Sequence, residues 1–559
     1  MQYHPHGDAS IADAMVQIGQ KELLIDMQGN WGNILTGDRA AASRYIEARL
    51  SKFALDVVFN PKTTEWKMSY DGRRKEPIDL PVKFPLLLAQ GAEGIAVGLS
   101  TKILPHNFIE LIDASIKYLK GRSFKIVPDF LTGGIADFTN YNDGKRGGKV
   151  RVRAKISQLD KKTLVINEIP FSTTTSSLID SILKANDKGK IKIKKIEDNT
   201  AAEVEILVHL PPNVSPDKSI DALYAFTNCE TSISPLACTI ENNKPVFVGV
   251  SEMLKHSTDL TVELLKRELE IQLNELEEQW HFSSLERIFI ENRIYRDIEE
   301  EETWEGVINA IDVGLQPHIK HLKRAITVDD ITRLTEIRIK KISKFDIDKA
   351  KQFIESLEDK IAVVKDHLAN LIDFAIDYFK RLKDTYGKGK ERRTEIRIFD
   401  DIVASKVAMN NAKLYVNREE GFIGTSLKRD EFVTDCSDID DIIVFKKDGS
   451  MKVSRISDKI FVGKDIIHIQ VWKKGDDRLT YHMIYADLGA GKNYVKRFNV
   501  TSITREKDYQ LTKTDKAKVL YFAAHANSES EVVQVNLSAN AKARVKQFDY
   551  DFVDLAIKG

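Results

Sequence analysis

Apolar residues recur at helical spacing at both ends of the first 120 residues. They return every three or four positions from Ile11 to Leu23 and again from Phe108 to Ile116, which is the spacing of one buried helix face. Glycine and proline residues between these stretches indicate turns. The pattern predicts a mixed domain over residues 1–120, with its first helix starting near Asp8.

Short alternating stretches follow in residues 121–255. From Val150 to Ile156 apolar residues alternate with basic ones, and Leu164–Ile169 and Val204–Val208 are further apolar runs. Alternation with period two is typical of strands that bury one face. We therefore expect a second, α/β domain over residues 121–255.

The longest apolar seam lies between residues 256 and 400. Apolar residues step by three or four from Val262 to Trp280 and again from Ile354 to Leu382, which is heptad spacing. With a compact segment between them, Trp304 to Ser343, the two stretches predict a long antiparallel coiled coil with a helical cap. A plain helical bundle fits the same periodicity, and periodicity alone does not choose between the two.

Short strands and turns return after a polar linker at residues 386–393. Residues 441–455 are predicted to form a β-hairpin around an Asp-Gly turn, residues 481–497 echo it, and a third copy begins at Lys518. A repeat of about forty residues is typical of propeller-like blades. We expect residues 401–559 to form part of a β-pinwheel, which makes the whole chain an α+β multidomain protein.

Composition narrows the class of protein. The chain has 559 residues, of which 42% are hydrophobic and 30% charged, as in soluble globular proteins. Lys and Arg together number 84, as do Asp and Glu, which argues against a simple histone-like DNA binder. Only three cysteines are present, which rules out a disulfide scaffold. They lack C-x-x-C spacing, which disfavours a structural zinc site, so no metal site is predicted.

No apolar stretch is long enough to span a membrane, and the start of the chain does not resemble a signal peptide. We therefore expect a location in the cytoplasm of a bacterium.

The candidate chemistry centres on Arg44 and Tyr45, which are adjacent in the chain. A tyrosine phenol can attack a phosphodiester and hold it as a covalent phosphotyrosine. A neighbouring guanidinium can stabilise the phenolate and the negative charge that develops on phosphorus. The alternative is that an isolated Arg-Tyr pair lies on the protein surface and has no catalytic role.

Other motifs surround this pair in a distinctive order. They are His4-Pro-His-Gly-Asp8, Gln28-Gly-Asn-Trp-Gly32, Lys75-Glu-Pro77, Gly91-Ala-Glu-Gly-Ile-Ala-Val-Gly98, Pro105-His-Asn107, Asp129-Phe-Leu-Thr-Gly-Gly-Ile135, Asn167-Glu-Ile-Pro170 and Leu334-Thr-Glu-Ile-Arg338. Together they strongly resemble the breakage-reunion A subunits of bacterial type IIA DNA topoisomerases, the family of DNA gyrase and topoisomerase IV.

The resemblance implies a role for each matching residue. Tyr45 matches the nucleophile that takes the 5′ phosphate of a cut strand, and Arg44 matches its transition-state partner. The residues that match DNA contacts are His4, His6, Arg49, Ile135, Lys149, Arg151 and Arg153. Ile135 matches a side chain that wedges between base pairs and bends the duplex. His4, His6 and Asp8 also fit a metal site, and Ile135 also fits a place in the core.

The same resemblance implies an architecture and partners. Residues 1–120 would be part of a winged-helix DNA gate, 121–255 a tower, and 256–400 a coiled coil with the exit gate. We expect a homodimer through that gate, bound to double-stranded DNA at the nucleoid and to two B subunits. Mg²⁺ and ATP are expected on the B subunit, with neither bound by this chain alone.

Two departures from the family pattern carry expectations of their own. Ala9 replaces a serine that commonly helps hold quinolones, a turn before the acidic Asp13, so a weakened quinolone response is expected. The glycine-rich box of gyrase, Gln-Arg-Arg-Gly-Gly-Lys-Gly, is not found after residue 400, which favours topoisomerase IV and decatenation.

The chain opens at a motif that lies inside these subunits, so we expect an N-terminal truncation. The alternatives left open are a gyrase-type chain with negative supercoiling activity, and a DNA-binding architectural fragment whose tyrosine does no chemistry.

Overall fold

The computed structural model describes residues 3, 7–212, 214–343, 345–399, 412–526 and 529–558. The chain forms two compact units, one of Met1–Val152 with Ser232–Ile398 and one of Arg153–Thr231 with Phe399–Gly559. Helices mix with several small sheets, which agrees with the α+β expectation. The four-domain division stays a prediction, as do the winged-helix, tower and pinwheel assignments.

The helices are α1 (Asp8–Gly19), α2 (Lys52–Val57), α3 (Leu86–Gln90), α4 (Phe108–Leu119), α5 (Thr175–Asp187), α6 (Pro216–Phe226), α7 (Val250–Glu291), α8 (Trp304–Leu315), α9 (Val328–Thr335), α10 (Ile339–Ser343), α11 (Ile347–Ala369) and α12 (Leu371–Tyr386). None of the helices in the described ranges has the length and apolar character that crossing a membrane requires.

The strands are β1 (Ile25–Gln28), β2 (Glu47–Leu50), β3 (Trp66–Met68), β4 (Lys75–Pro77), β5 (Ala92–Ala96), β6 (Leu99–Ile103), β7 (Ile135–Asp137), β8 (Val150–Arg153), β9 (Lys155–Asp160), β10 (Thr163–Glu168), β11 (Lys195–Asp198), β12 (Ile206–His209), β13 (Glu230–Ile233), β14 (Cys238–Glu241), β15 (Lys244–Phe247), β16 (Glu395–Ile396), β17 (Ala412–Asn417), β18 (Phe422–Gly424), β19 (Glu431–Cys436), β20 (Asp441–Lys446), β21 (Ser450–Arg455), β22 (Ile460–Phe461), β23 (Ile466–Trp472), β24 (Thr480–Asp487), β25 (Lys492–Asn499), β26 (Asp508–Gln510), β27 (Ala517–His525), β28 (Val532–Asn536) and β29 (Gln547–Asp551).

Helices α7 and α11 pack as an antiparallel pair. Trp280 packs against apolar residues of α11 and donates its indole N–H to Glu358 at 2.9 Å. Glu277, earlier in α7, pairs with Lys365, later in α11, at 2.9 Å. The two helices therefore run antiparallel, as predicted from two heptad stretches separated by a compact segment. Supercoiling of the pair stays a prediction.

The second heptad stretch is interrupted. α11 ends at Ala369 and α12 begins at Leu371, because Asn370 leaves the helical conformation at φ −113° and ψ 45°. The expectation of a single helix from Ile354 to Leu382 is therefore wrong at this residue. The seam buries Ile354, Leu357, Ile361 and Val364 before the break.

The segment between the long helices forms a helical cap, as predicted. α8 and α9 pack on the end of α7 around a shared core. The core residues are Leu285, Ile288, Phe289, Ile290, Ile294, Ile311, Leu315, Ile331 and Leu334.

The stretch predicted as a polar linker, residues 386–393, is instead tied into the first unit. The Arg392 guanidinium donates to both carboxylate oxygens of Glu110 in α4, at 2.5 and 2.6 Å. It also donates to the carbonyl oxygens of Val127 and Pro128. The Arg392 side chain is only 18% exposed, so its hydrogen bonds hold residues 386–393 against the rest of the first unit.

The C-terminal hairpins around residues 441–455 and 481–497 form as predicted. β20 pairs with β21 in register Asp441↔Arg455, and β24 pairs with β25 in register Thr480↔Asn499. The expected third hairpin beginning at Lys518 is wrong, because β27 joins β24 as a third strand of the same sheet. A separate hairpin of β28 and β29 follows.

Candidate functional site

Tyr45 lies at the end of a short 3₁₀ helix, Ser43–Tyr45, just before β2. Its backbone N–H donates to the Ala42 carbonyl at 2.8 Å, and the residue is 65% exposed. β2 pairs with β1 in an antiparallel hairpin that starts at Gln28↔Glu47. The hairpin therefore holds the backbone while the phenol faces solvent, where a large substrate can reach it.

Arg44 lies beside the tyrosine. The central carbon of its guanidinium is 4.6 Å from the centroid of the Tyr45 ring, which is a cation–π distance. The structure thus brings the side chains of this predicted pair together. A fixed positive charge next to a phenol suits the stabilisation of a phenolate or a phosphate.

The turn between β1 and Tyr45 requires glycine where it touches the tyrosine. Gly29 has φ +94°, and a Cβ on it would lie 2.7 Å from the Tyr45 carbonyl oxygen. In the same turn, the Asn30 carbonyl accepts a hydrogen bond from the Ala41 N–H at 2.9 Å. The turn therefore packs directly against the backbone that carries the candidate nucleophile.

Helix α1 carries both residues of the predicted drug site. Ala9 and Asp13 are four residues apart, so they share one helix face, and both are exposed. The helix is connected to the tyrosine's turn through Gln20, whose side-chain amide donates to the Trp31 carbonyl at 2.8 Å. Their role with quinolones stays a prediction, and His4 and His6 lie outside the described residues.

Arg49 lies on β2 opposite Asp26, and the two side chains form an ion pair at 3.0 Å. The arginine side chain is 82% exposed. An exposed pair of this kind contributes about 0–1 kcal/mol, so a phosphate can replace Asp26 at little cost. Arg49 is thus placed where its predicted DNA contact is possible.

The basic residues around β8 differ from one another. Lys149 is exposed, and Arg151 and Arg153 are half-buried around the buried Val152, as the alternating pattern predicted. Arg153 is held by Glu230 at 2.6 Å, and its guanidinium lies over the rings of Tyr224 and Phe399. This arginine already has a structural role. DNA contact by Lys149, Arg151 and Arg153 stays a prediction.

Ile135, the predicted wedge, is buried with only 7% of its surface exposed. It lies on β7, which pairs with β16 in parallel, opposite Glu395. In this conformation Ile135 is therefore a core residue, which is the alternative that the sequence left open. Insertion between base pairs stays a prediction and requires the side chain to leave that position.

Two of the motif residues have structural roles that the sequence did not disclose. Asn107 caps α4 by accepting from the N–H groups of Ile109 and Glu110, and it donates to Asp129 at 2.9 Å. His106 is buried against the Tyr141 hydroxyl at 3.2 Å, and burial lowers its pKa to about 4. Both residues therefore have structural roles in the fold.

Among the residues that the structure describes, three metal-type ligand side chains converge at one place only, His482, His525 and Glu531. None of these belongs to the tyrosine's hairpin. The expectation that this chain holds no Mg²⁺ at Tyr45 stays a prediction.

An exposed tyrosine backed by an arginine, in a chain that also carries an antiparallel helix pair and C-terminal β-sheets, fits the type IIA topoisomerase class. Residues 1–380 match the family model for the A subunit of DNA gyrase/topoisomerase IV. Residues 413–559 match the topoisomerase C-terminal domain, Bacteroidota. The chain belongs to the family of DNA gyrase and topoisomerase IV A subunits.

Its relatives include both branches of that family. The chain is 40% identical over 512 residues to the DNA topoisomerase 4 A subunit of Borreliella burgdorferi, covering 91% of this chain and 81% of the relative. It is 29% identical over 425 residues to the DNA gyrase A subunit of Staphylococcus epidermidis, covering 71% of this chain and 46% of that protein. The DNA gyrase A subunit of Metamycoplasma arthritidis is 30% identical over 449 residues, covering 75% of this chain and 48% of the relative. The chain thus spans most of the topoisomerase IV relative but under half of these gyrase relatives.

Proposed function

We propose that this chain is the DNA breakage-reunion subunit of a type IIA topoisomerase of the topoisomerase IV type. It would cut both strands of a duplex, let a second duplex pass and reseal the break. The observation that carries the proposal is the exposed Tyr45 phenol, with the Arg44 guanidinium 4.6 Å from its ring.

The chemistry is a transesterification. The Tyr45 oxygen attacks the scissile phosphorus, the bond from phosphorus to the 3′ oxygen breaks, and the phenolic proton leaves to solvent or a base. The 3′ oxygen takes up a proton from solvent or an acid as it leaves, so the products are a 5′-phosphotyrosine and a free 3′ hydroxyl. Because one phosphoester replaces another, the 3′ hydroxyl can reverse the step and reseal the strand. Arg44 would stabilise the negative charge that builds on the phosphate oxygens.

The partners follow from the family and from the reaction. Each tyrosine cuts one strand, so a double-strand break needs two copies of this chain. The cap around α8 and α9, within the expected exit gate, is the proposed contact between them. Two B subunits would complete the assembly and hold ATP and Mg²⁺, whose positive charge stabilises the phosphate in such reactions. DNA is the substrate, and we place its contacts at Arg49, Lys149 and α1.

Relaxation and decatenation are the favoured outcome, rather than negative supercoiling. The identity to the topoisomerase IV relative is 40% over 91% of the chain, against 29–30% over 71–75% for the gyrase relatives. The glycine-rich gyrase box is also not found after residue 400. A gyrase activity would instead appear as negative supercoils introduced into relaxed plasmid.

A cleavage trap tests the reaction. The chain is incubated with its B subunit, Mg²⁺ and supercoiled plasmid, quenched with detergent, and the protein-linked linear DNA is measured. Tyr45→Phe should abolish the adduct, because only the attacking oxygen is removed. Tyr70→Phe is the matched control, since Tyr70 is also an exposed tyrosine of the first unit, at 58%, and should leave the adduct unchanged.

The result also separates the alternatives. Salt-sensitive DNA binding without any adduct would refute the enzyme proposal and favour an architectural role. An adduct that persists in Tyr45→Phe would show that another residue is the nucleophile.

A further inference from the structure

Two histidines and a glutamate converge in the second unit, far along the chain from Tyr45. Nδ1 of His482 lies 3.1 Å from Oε1 of Glu531, and Nε2 of His525 lies 2.9 Å from the same oxygen. These three ligand atoms all lie within 4.8 Å of one another. Two imidazole nitrogens therefore point at one carboxylate oxygen.

One carboxylate oxygen serves both histidines. Nδ1 of His482 makes a hydrogen bond to Oε1 of Glu531, and Nε2 of His525 lies 2.9 Å from the same atom. Two imidazole nitrogens and a carboxylate oxygen brought together in this way can also be bridged by a cation bound between the three side chains.

The surroundings suit a metal. His482 is fully buried and stacks on Phe552, with ring centroids 4.2 Å apart and planes at 3°. The Tyr521 hydroxyl donates to the other oxygen of Glu531 at 2.8 Å. Such a partner behind a carboxylate ligand orients it toward a metal.

One charge opposes cation binding. The Arg497 guanidinium donates to the Phe552 and Leu555 carbonyls at 3.4 Å, and Phe552 is the residue whose ring stacks on His482. With a single carboxylate present, we expect weaker binding than at closed sites with four protein ligands.

We propose that His482, His525 and Glu531 bind a divalent transition metal, with Zn²⁺ the best match. Two imidazoles and one carboxylate are a common zinc ligand set that leaves a fourth position for water. Zinc–ligand bonds of about 2.0–2.2 Å in tetrahedral geometry separate the ligand atoms by about 3.3–3.6 Å. The two nitrogen-to-oxygen separations, 3.1 and 2.9 Å, are shorter than this by a few tenths of an ångström, and the two nitrogens lie within 4.8 Å of each other.

A metal at this site would connect separate strands of the C-terminal sheets. His482 and His525 lie on the neighbouring strands β24 and β27, whereas Glu531 directly precedes β28 of the last hairpin. Glu531 also accepts the Phe552 N–H at 3.1 Å through its backbone. A bound metal would therefore fasten this hairpin to the preceding sheet.

The test uses the untagged full chain after treatment with a chelator. Zn²⁺ is titrated in competition with a chromophoric chelator, and thermal unfolding is followed with and without Zn²⁺. We expect one Zn²⁺ per chain and a higher unfolding temperature with Zn²⁺, since a ligand of the folded state stabilises it. His525→Gln and Glu531→Gln should each weaken binding by at least about tenfold and abolish the temperature shift.

The matched control is His209→Gln. His209 also lies beside a carboxylate, with Nε2 3.2 Å from Glu197, but no second histidine joins that pair among the described ligand groups. This variant should bind Zn²⁺ as the parent does. The fully buried His482 is left unchanged, because its replacement could disrupt folding, and circular dichroism of both variants verifies that they are folded.

Two outcomes would overturn the site. One is a parent chain that takes up no Zn²⁺ at micromolar concentrations. The other is uptake that both His525→Gln and Glu531→Gln leave unchanged, which would assign the metal to other surface groups.

Discussion

The Gly29→Ala variant tests whether the turn at Gly29 holds Tyr45 in the position that DNA cleavage requires, because it leaves the tyrosine itself unchanged. Gly29 has φ +94°, and an added Cβ would lie 2.7 Å from the Tyr45 carbonyl oxygen and 3.3 Å from the Ile46 Cα. Left-handed backbone at a non-glycine residue costs about 1–2 kcal/mol. The contact adds to this cost, because both neighbouring atoms belong to the backbone and must move.

The expected result is a loss of cleavage that exceeds the loss of stability. A catalytic group displaced by about 1 Å can lose roughly 100-fold in rate, so adduct formation should fall by about 10- to 100-fold. The unfolding free energy should fall by only about 1–3 kcal/mol. Cleavage is measured in the detergent-quenched assay, and stability by urea unfolding.

Gly72→Ala is the matched control for this experiment. Gly72 also has positive φ, at +69°, but nothing lies within 4 Å of its added Cβ. It should therefore show the backbone cost alone and cleave normally. If Gly29→Ala cleaves as well as Gly72→Ala, the turn does not position Tyr45 and the reasoning is refuted.

Three more predictions concern other parts of the first unit. The pKa of His106 falls from its ordinary 6.5 to about 4 through burial. The unfolded chain therefore binds more protons between these values, and lowering the pH from 6.5 to 4 should reduce stability by up to about 3 kcal/mol. Urea unfolding across this range should show a flatter dependence in His106→Gln, and an equal slope would contradict the assignment. Arg392→Ala should lower the unfolding free energy by about 2–3 kcal/mol, because it removes the two hydrogen bonds from the guanidinium to the Glu110 carboxylate. An unchanged urea midpoint would show that residues 386–393 contribute no stability and would favour the linker prediction. Ala9→Ser should increase quinolone-stabilised cleavage, and an unchanged drug response would remove this residue from the drug site.

The elements predicted best from the sequence are those whose periodicity is local. The start of α1 at Asp8, the long α7 and the hairpin at residues 441–455 follow from spacing and turn residues. The break at Asn370 does not, because the apolar spacing continues across it. Its side-chain amide donates to the Asp366 carbonyl at 3.2 Å, a local bond by which asparagine competes with helical structure.

Contacts between distant residues could not be predicted from such patterns. The linker prediction is wrong at Arg392 because its partner, Glu110, lies far earlier in the chain. The sequence does not disclose the group of His482, His525 and Glu531 for the same reason. The pairing of β24 with β27 brings His482 close to His525, because Thr480 lies opposite His525 in that register. No spacing of residues in the sequence predicts this pairing.

The geometry of Tyr45 also constrains how the proposed reaction begins. The phenol is exposed, and in the described part of the chain the charged group against its ring is the Arg44 guanidinium. A tyrosine needs activation before it attacks phosphorus, and a guanidinium can stabilise a phenolate but does not act as a base. The described residues place no base against the phenol, so in this proposal the proton leaves to water, to a group of the chain outside those residues, or to groups that arrive with the DNA and the partner proteins. The arrangement therefore leaves the nucleophile accessible and assigns its activation to groups other than Arg44.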